Sequence, residues 1–178
     1  MKRFMTTVSV LAILAMASSA FGANYGWTIS ASSIDPDVNT GSPSNLPITA
    51  YLWLKCSSEG MSAAEFDLVP TGMMVLGFTP TNGFLNAGTP TAMLLAVGGC
   101  PSGPLVAGSL SIFDLPGSVC FAASAANGIL GTVDCITPVP NLWPAEWLGY
   151  SNLGPPCESG GILCPPTAVQ DESWGSIK

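Results

Sequence analysis

The segment "LPITAYLWLKC" (residues 46–56) decides the fold class. Its side chains alternate, so that Leu52 and Leu54 share one face while Tyr51 and Trp53 share the other, as in a β-strand. Because both faces are largely apolar, the segment predicts a central strand that is covered on both sides. The two aromatic rings would form a ligand platform only if their face were open to solvent.

A second strand follows in "AAEFDLV", where Ala64, Phe66 and Leu68 alternate with the acidic residues Glu65 and Asp67. This alternation is typical of a half-buried strand. Further short apolar segments, such as "YGWTISAS", "TAMLLAVGG" and "PLVAGSLSIF", are separated by Gly-, Pro- and Asn-containing turns. No segment has a long apolar period of 3.6 residues. The sequence therefore predicts an all-β protein, an immunoglobulin/cohesin-like β-sandwich of about eight strands.

The first residues have the pattern of a signal peptide, which we assign to residues 1–22. Lys2 and Arg3 are followed by an apolar run from Val8 to Ala17 and then by small residues. The run is too short to span a bilayer. We expect export to the cell surface, the periplasm or the extracellular space, with no transmembrane segment in the mature chain.

Three segments follow this signal peptide. Residues 23–137 would form the sandwich. Residues 138–168 are rich in Pro, Gly and aromatic side chains without periodicity, which predicts an irregular extension packed on the sandwich. Residues 169–178 would form a separate C-terminal tail, either without a role or serving as a recognition tag anchored by Trp174.

Charge is scarce and acidic. Beyond the signal peptide, two lysines stand against eleven acidic residues, a net charge of −9. Such a chain cannot neutralise a row of phosphates, which disfavours nucleic acid and anionic membranes as partners. Charged residues make up 8% of the sequence, against roughly 25% in ordinary globular proteins. A surface of neutral polar residues suits an extracellular β-protein.

Six cysteines, an even number after a signal peptide, indicate disulfide bonds. They are Cys56, Cys100, Cys120, Cys135, Cys157 and Cys164. The sequence does not choose among the pairings. The shortest loop closures would join Cys157 to Cys164 and Cys120 to Cys135, leaving Cys56 with Cys100. A zinc site is disfavoured because the chain has no His and no C-x2-C spacing.

Two likenesses to known families follow from these segments. "AYLWLKC…MSAAEFDLVPTGMMVLGFTP" resembles the opening of cohesin-like and related carbohydrate-binding sandwiches over roughly residues 25–136. The layout "GGCPSGP…VCF…VDC", with the ending "ESWGSIK", is similar to a group of secreted bacterial proteins that carry a Trp-Gly-x-Ile/Val-Lys tail and have no established activity. The first likeness implies a binding or assembly module, and neither transfers site residues.

The stretch "DPDVNTG" offers oxygen ligands at alternate positions, from Asp35, Asp37 and Asn39. An EF-hand loop requires Gly at its sixth position and Glu at its twelfth, where this chain has Thr40 and Leu46. We therefore interpret the stretch as a turn first. A looser calcium site built from the three residues is the alternative, and calcium is the one cofactor considered.

A cluster of aromatic side chains lies in "NLWPAEWLGY". Trp143, Trp147 and Tyr150 would align on one side of a helical turn. Such rings stack on the apolar faces of sugars, so they are the candidate ligand-binding residues. The alternative is an aromatic flap that seals one end of the sandwich.

Catalytic residues are few. Without His, a Ser-His-Asp or Cys-His arrangement is excluded. A glycosidase needs two facing carboxylates, and the conceivable ones are Glu65, Asp67, Asp134 and Glu146. We expect no enzyme. The sequence favours a secreted binding module for a polysaccharide or a partner protein, with a structural envelope or fibre component as the alternative.

Overall fold

The computed structural model describes residues 25–159 and residue 164, and this part of the chain contains twelve strands and no helix. The strands are β1 (Tyr25–Ser30), β2 (Pro47–Ser57), β3 (Ala63–Thr71), β4 (Met74–Pro80), β5 (Phe84–Asn86), β6 (Ala92–Val97), β7 (Leu105–Phe113), β8 (Ser118–Ala122), β9 (Gly131–Val133), β10 (Leu142–Pro144), β11 (Glu146–Leu148) and β12 (Tyr150–Ser151). The predicted signal peptide and C-terminal tail lie outside the described residues. Within those residues, no helix is long and apolar enough to cross a membrane.

The strands form two sheets, which confirms the all-β prediction. The first sheet has the order β11-β1-β2-β7-β4. The second has the order β10-β9-β3-β6-β5, with β8 also paired to β3 and β12 paired to β8. Strands β9 and β8 use successive parts of the same side of β3, since β9 pairs with residues 63–65 and β8 with residues 67–71. The two sheets share one apolar core in a sandwich-like arrangement.

The core is built from alternating side chains, as the two quoted strands predict. Leu52 and Leu54 of β2 are fully buried, and β2 is central because it pairs with both β1 and β7. Phe66 of β3 is also fully buried. Its ring lies 5.3 Å from that of Trp27 in the first sheet and 5.1 Å from that of Phe121, measured between centroids. Each such pair contributes about 0.5–1.5 kcal/mol beyond its buried area. The Trp27–Phe66 pair joins the two sheets, and the Phe66–Phe121 pair lies within the second.

The prediction of an irregular extension at residues 138–168 is wrong over Leu142–Ser151. This segment supplies a strand to the first sheet and two to the second: β11 runs parallel to β1, β10 pairs with β9, and β12 pairs with β8. Each of these strands has only two or three residues. Strands this short are set by their neighbours in the sheet and leave no periodicity in the sequence.

All six cysteines form disulfides, as expected, but the suggested pairing is wrong. The bonds are Cys56–Cys164, Cys100–Cys135 and Cys120–Cys157. Strand pairing explains the difference: β12 lies against β8, and the chain after it returns so that Gly149 N–H donates to Cys157 O at 2.7 Å, beside Cys120. Three disulfides indicate an oxidising environment.

Candidate functional site

The three aromatic residues of "NLWPAEWLGY" do not form a helical row. They lie on three separate strands, and Tyr150 is only 3% exposed within the core. The expectation of one aligned, accessible platform is therefore corrected. Pro144 and Gly149, which lie between the rings, disfavour a helical turn here, and pairing with β9, β1 and β8 holds the segment extended.

Trp143 is anchored by a buried carboxylate. Its indole Nε1 donates to Asp134 Oδ2 at 2.8 Å, and its side chain packs against the core. Asp134 is fully buried, and it also accepts from the backbone N–H groups of Ile136 and Asn141. Burial alone would raise the pKa of Asp134, but these donors lower it to about 2. The carboxylate thus stays charged and fixes the Trp143 ring.

Trp147 is half-buried and is the last of four rings in successive contact, after Trp27, Phe66 and Phe121. Its ring centroid lies 5.9 Å from that of Phe121. On the backbone, Ser159 N–H donates to Trp147 O at 3.0 Å, and Trp147 N–H donates to Ser159 Oγ at 3.2 Å. These contacts favour the flap interpretation of the segment over a sugar platform.

The "DPDVNTG" stretch is a loop that folds back over the outer face of the first sheet. Asn39 is 5% exposed, and its amide nitrogen lies 2.6 Å from Thr28 Oγ1 and 2.7 Å from Ile29 O, donating to both. Trp53 Nε1 donates to Ser32 O at 3.1 Å from beneath the same loop. The loop therefore buries the outer side of β1 and β2, and Trp53 is no open platform.

The two aspartates of this stretch make local contacts. Asp35 Oδ1 accepts from Asp37 N–H at 2.9 Å, which is an Asx turn. Asp37 forms an ion pair with Lys55. Over residues 25–159 and 164, no three or more Asp, Glu, Cys or His side chains come together to hold a metal ion. These contacts favour the turn, and calcium binding by Asp35, Asp37 and Asn39 stays a prediction.

Of the other candidate carboxylates, Glu146 accepts from Ser159 Oγ, and Glu65 and Asp67 both hold the loop after β8. Glu65 Oε1 accepts from Ser124 Oγ and from Asn127 Nδ2, both at 2.7 Å. Asp67 Oδ2 accepts from Ala125 N–H at 2.9 Å. The loop after β8 is thereby tied to the outer face of β3.

A surface that the sequence interpretation missed lies at the opposite side of the molecule. Residues 68–113 contain no Asp, Glu, Lys or Arg. They include β4, which ends the first sheet, and β5 and β6, which end the second. The turn between β4 and β5 has two residues with positive φ, Asn82 at 53° and Gly83 at 79°, and brings the two sheet edges next to each other. We call β4, β5 and β6 together the neutral edge.

Large apolar side chains are exposed on the neutral edge. Met74 and Leu76 on β4 are 56% and 50% exposed, and Leu85 on β5 is 69% exposed. On β6, Leu94 is 46% exposed, whereas its neighbours in sequence point into the core. Leu85 and Leu94 share the outer face of the second sheet by their strand register. The charge-free run was visible in the sequence, but only the strand order brings its parts to one side.

Comparisons with models of known protein families, with curated proteins and with solved structures found no match for this chain. The likenesses to cohesin-like modules and to the secreted bacterial proteins therefore stay predictions.

Proposed function

We propose that this protein is an exported, non-enzymatic binding module that recognises a protein partner through its neutral edge. The observation that carries the proposal is the exposure of Met74, Leu76, Leu85 and Leu94 on strands without a charged side chain. Apolar surface at the rim of a sheet, without charges, is typical of protein–protein contact sites.

A protein partner is favoured over a polysaccharide because of the aromatic side chains. Tyr150 lies in the core, Trp143 is bonded to Asp134, and Trp147 packs on Phe121. Sugar stacking needs a free ring face. Each of these rings already uses much of its surface for packing.

Export is supported by the three disulfides and by the signal-peptide pattern of residues 1–22. The cell surface, the periplasm and the extracellular space are the compartments in which such bonds persist. We infer that the protein is not an enzyme because the chain has no His and its candidate carboxylates have structural contacts. Glu65 and Asp67 accept hydrogen bonds from the loop after β8, and Asp134 accepts one from the indole of Trp143.

A structural envelope or fibre component is the second candidate. It is favoured by β4, a seven-residue strand that, within the described part of the chain, pairs on one side only, with β7. An open strand edge is a template for assembly. A fibre would also need a second contact surface on each subunit, because a single self-complementary surface closes the assembly as a dimer.

A glycan array tests the choice between polysaccharide and protein. The oxidised protein should bind no glycan, with or without calcium. A Trp143→Ala/Trp147→Ala double variant, checked for folding, runs beside it. Glycan binding that disappears in the folded double variant would contradict the proposal and restore the lectin-like interpretation.

Site-specific photo-cross-linking in the producing cells tests the neutral edge. A photoreactive amino acid is placed at Leu85 or, as the matched control, at Leu153. The two side chains are 69% and 68% exposed, and Leu153 lies outside the neutral edge. We expect protein adducts at Leu85 and none above background at Leu153. Equal adduct formation at both positions would overturn the assignment of the binding surface.

A further inference from the structure

We infer that the partner at the neutral edge is a second copy of this chain, joined by antiparallel pairing of β4 with β4 around a two-fold axis. The inference rests on the proposed function and names its partner. Among the residues that the structure describes, the first sheet ends at β4, so one side of this strand is unpaired. An antiparallel pair of identical strands is self-complementary, so the contact closes as a dimer.

Most of the usual protections of an edge strand are missing on β4. The strand "MVLGFTP" carries no charged side chain, and its only proline, Pro80, is the last residue. One protection is present: a register irregularity between Val75 and Gly77 leaves Leu76 without a partner residue on β7. The exposed Leu76 side chain is free to pack across the two-fold axis.

The charge distribution indicates why the partner is a second copy. Two acidic proteins repel each other, so they meet with least repulsion where charge is farthest away. In the second sheet, the charges nearest to β5 are the half-buried Glu65 and Asp67 of β3, which pair directly with β6 but lie two strands, roughly 9–10 Å, from β5. That exceeds the Debye length of about 8 Å at physiological ionic strength. Asp114, which follows β7, is buried and accepts from Asn152 Nδ2.

A basic partner would dock elsewhere. Glu59, Glu65 and Asp67 attract cations to β3 and to the turn that precedes it. The neutral edge offers such a partner no complementary charge. For a second copy it offers matching apolar side chains and matching unpaired backbone groups.

Sedimentation equilibrium of the oxidised protein, over a wide concentration range, is the test. We expect a monomer–dimer equilibrium that Leu76→Glu shifts toward the monomer by about tenfold or more in dissociation constant. Met74→Glu, at an exposed position of the same strand, is a second variant in case Leu76→Glu does not fold. Leu153→Glu adds the same charge outside the neutral edge and should leave the equilibrium unchanged.

Mixing opposite charges makes the test specific. Leu76→Glu and Leu76→Lys variants should each be monomeric alone, and an equimolar mixture should form a heterodimer, because the two-fold axis brings the same strand segment together. A monomeric wild type, a dimer that survives both Glu variants, or an equal effect of Leu153→Glu would each overturn the inference. Protein adducts at Leu85 from a different chain, with a monomeric wild type, would leave the proposed function standing and refute only the self-association.

Discussion

Replacing Asn39 with alanine should destabilise the protein, because this side chain holds the loop of residues 31–39 on the first sheet. The amide has two N–H hydrogens and lies within hydrogen-bonding distance of Thr28 Oγ1, Ile29 O and Pro36 O, at 2.6, 2.7 and 3.2 Å. Counting two bonds at their net value gives a loss of about 1–3 kcal/mol in the free energy of unfolding. The corresponding drop in melting temperature is roughly 4–8 °C for a loss near the middle of that range.

Urea unfolding of the oxidised protein, in calcium and in EDTA, measures this loss. The matched control is Asp37→Ala in the same loop, which removes only a surface ion pair with Lys55 worth about 0–1 kcal/mol. An Asn39→Ala variant within about 0.5 kcal/mol of the wild type would refute the bracing role of Asn39. A calcium-dependent gain in stability that disappears in Asp37→Ala would instead establish the metal site.

The remaining predictions concern one disulfide and one buried carboxylate. Serine at both Cys120 and Cys157, which lie 37 positions apart, should reduce the free energy of unfolding by about 4 kcal/mol through loop entropy. Mass spectrometry of non-reduced peptides should recover this pair, and a Cys157–Cys164 bond would contradict the fold. Asp134 has a pKa lowered from 3.8 to about 2, so its contribution to stability is present above the higher value and disappears as pH falls through the lower one. In Asp134→Asn, the free energy of unfolding should fall less between those two pH values than in the wild type. An equal fall in both proteins would contradict the hydrogen bonds that we assign to the Asp134 carboxylate.

The long strands could be predicted from the sequence because alternation over nine to eleven residues leaves little ambiguity. Burial of Leu52, Leu54 and Phe66 followed directly from it. Strands of two or three residues have no period, so β10, β11 and β12 could be recognised only from their partners. The disulfide pairing failed for the same reason, since strand order rather than loop length brings Cys120 to Cys157.

The candidate site was harder to predict than the fold. A spacing of three or four residues between aromatic rings suggested a helical row, but tertiary pairing overrode it and placed Tyr150 in the core. The charge-free run of residues 68–113 was present in the sequence all along. The run forms an exposed edge only because β4 and β5 are the last strands of their sheets. The order of strands in a sheet cannot be read from composition.

The parallel pairing of β1 with β11 also determines when the protein can fold. Glu146 lies 120 positions after Gly26 in the chain, and the two are direct neighbours in the sheet. A ribosome that adds about 5–20 residues per second needs roughly 6–24 s to deliver this partner after β1 has emerged. Until then the first strand lacks one neighbour, and Cys56 and Cys120 have not met the cysteines that follow residue 156. The first sheet therefore gains its last strand only near the end of synthesis.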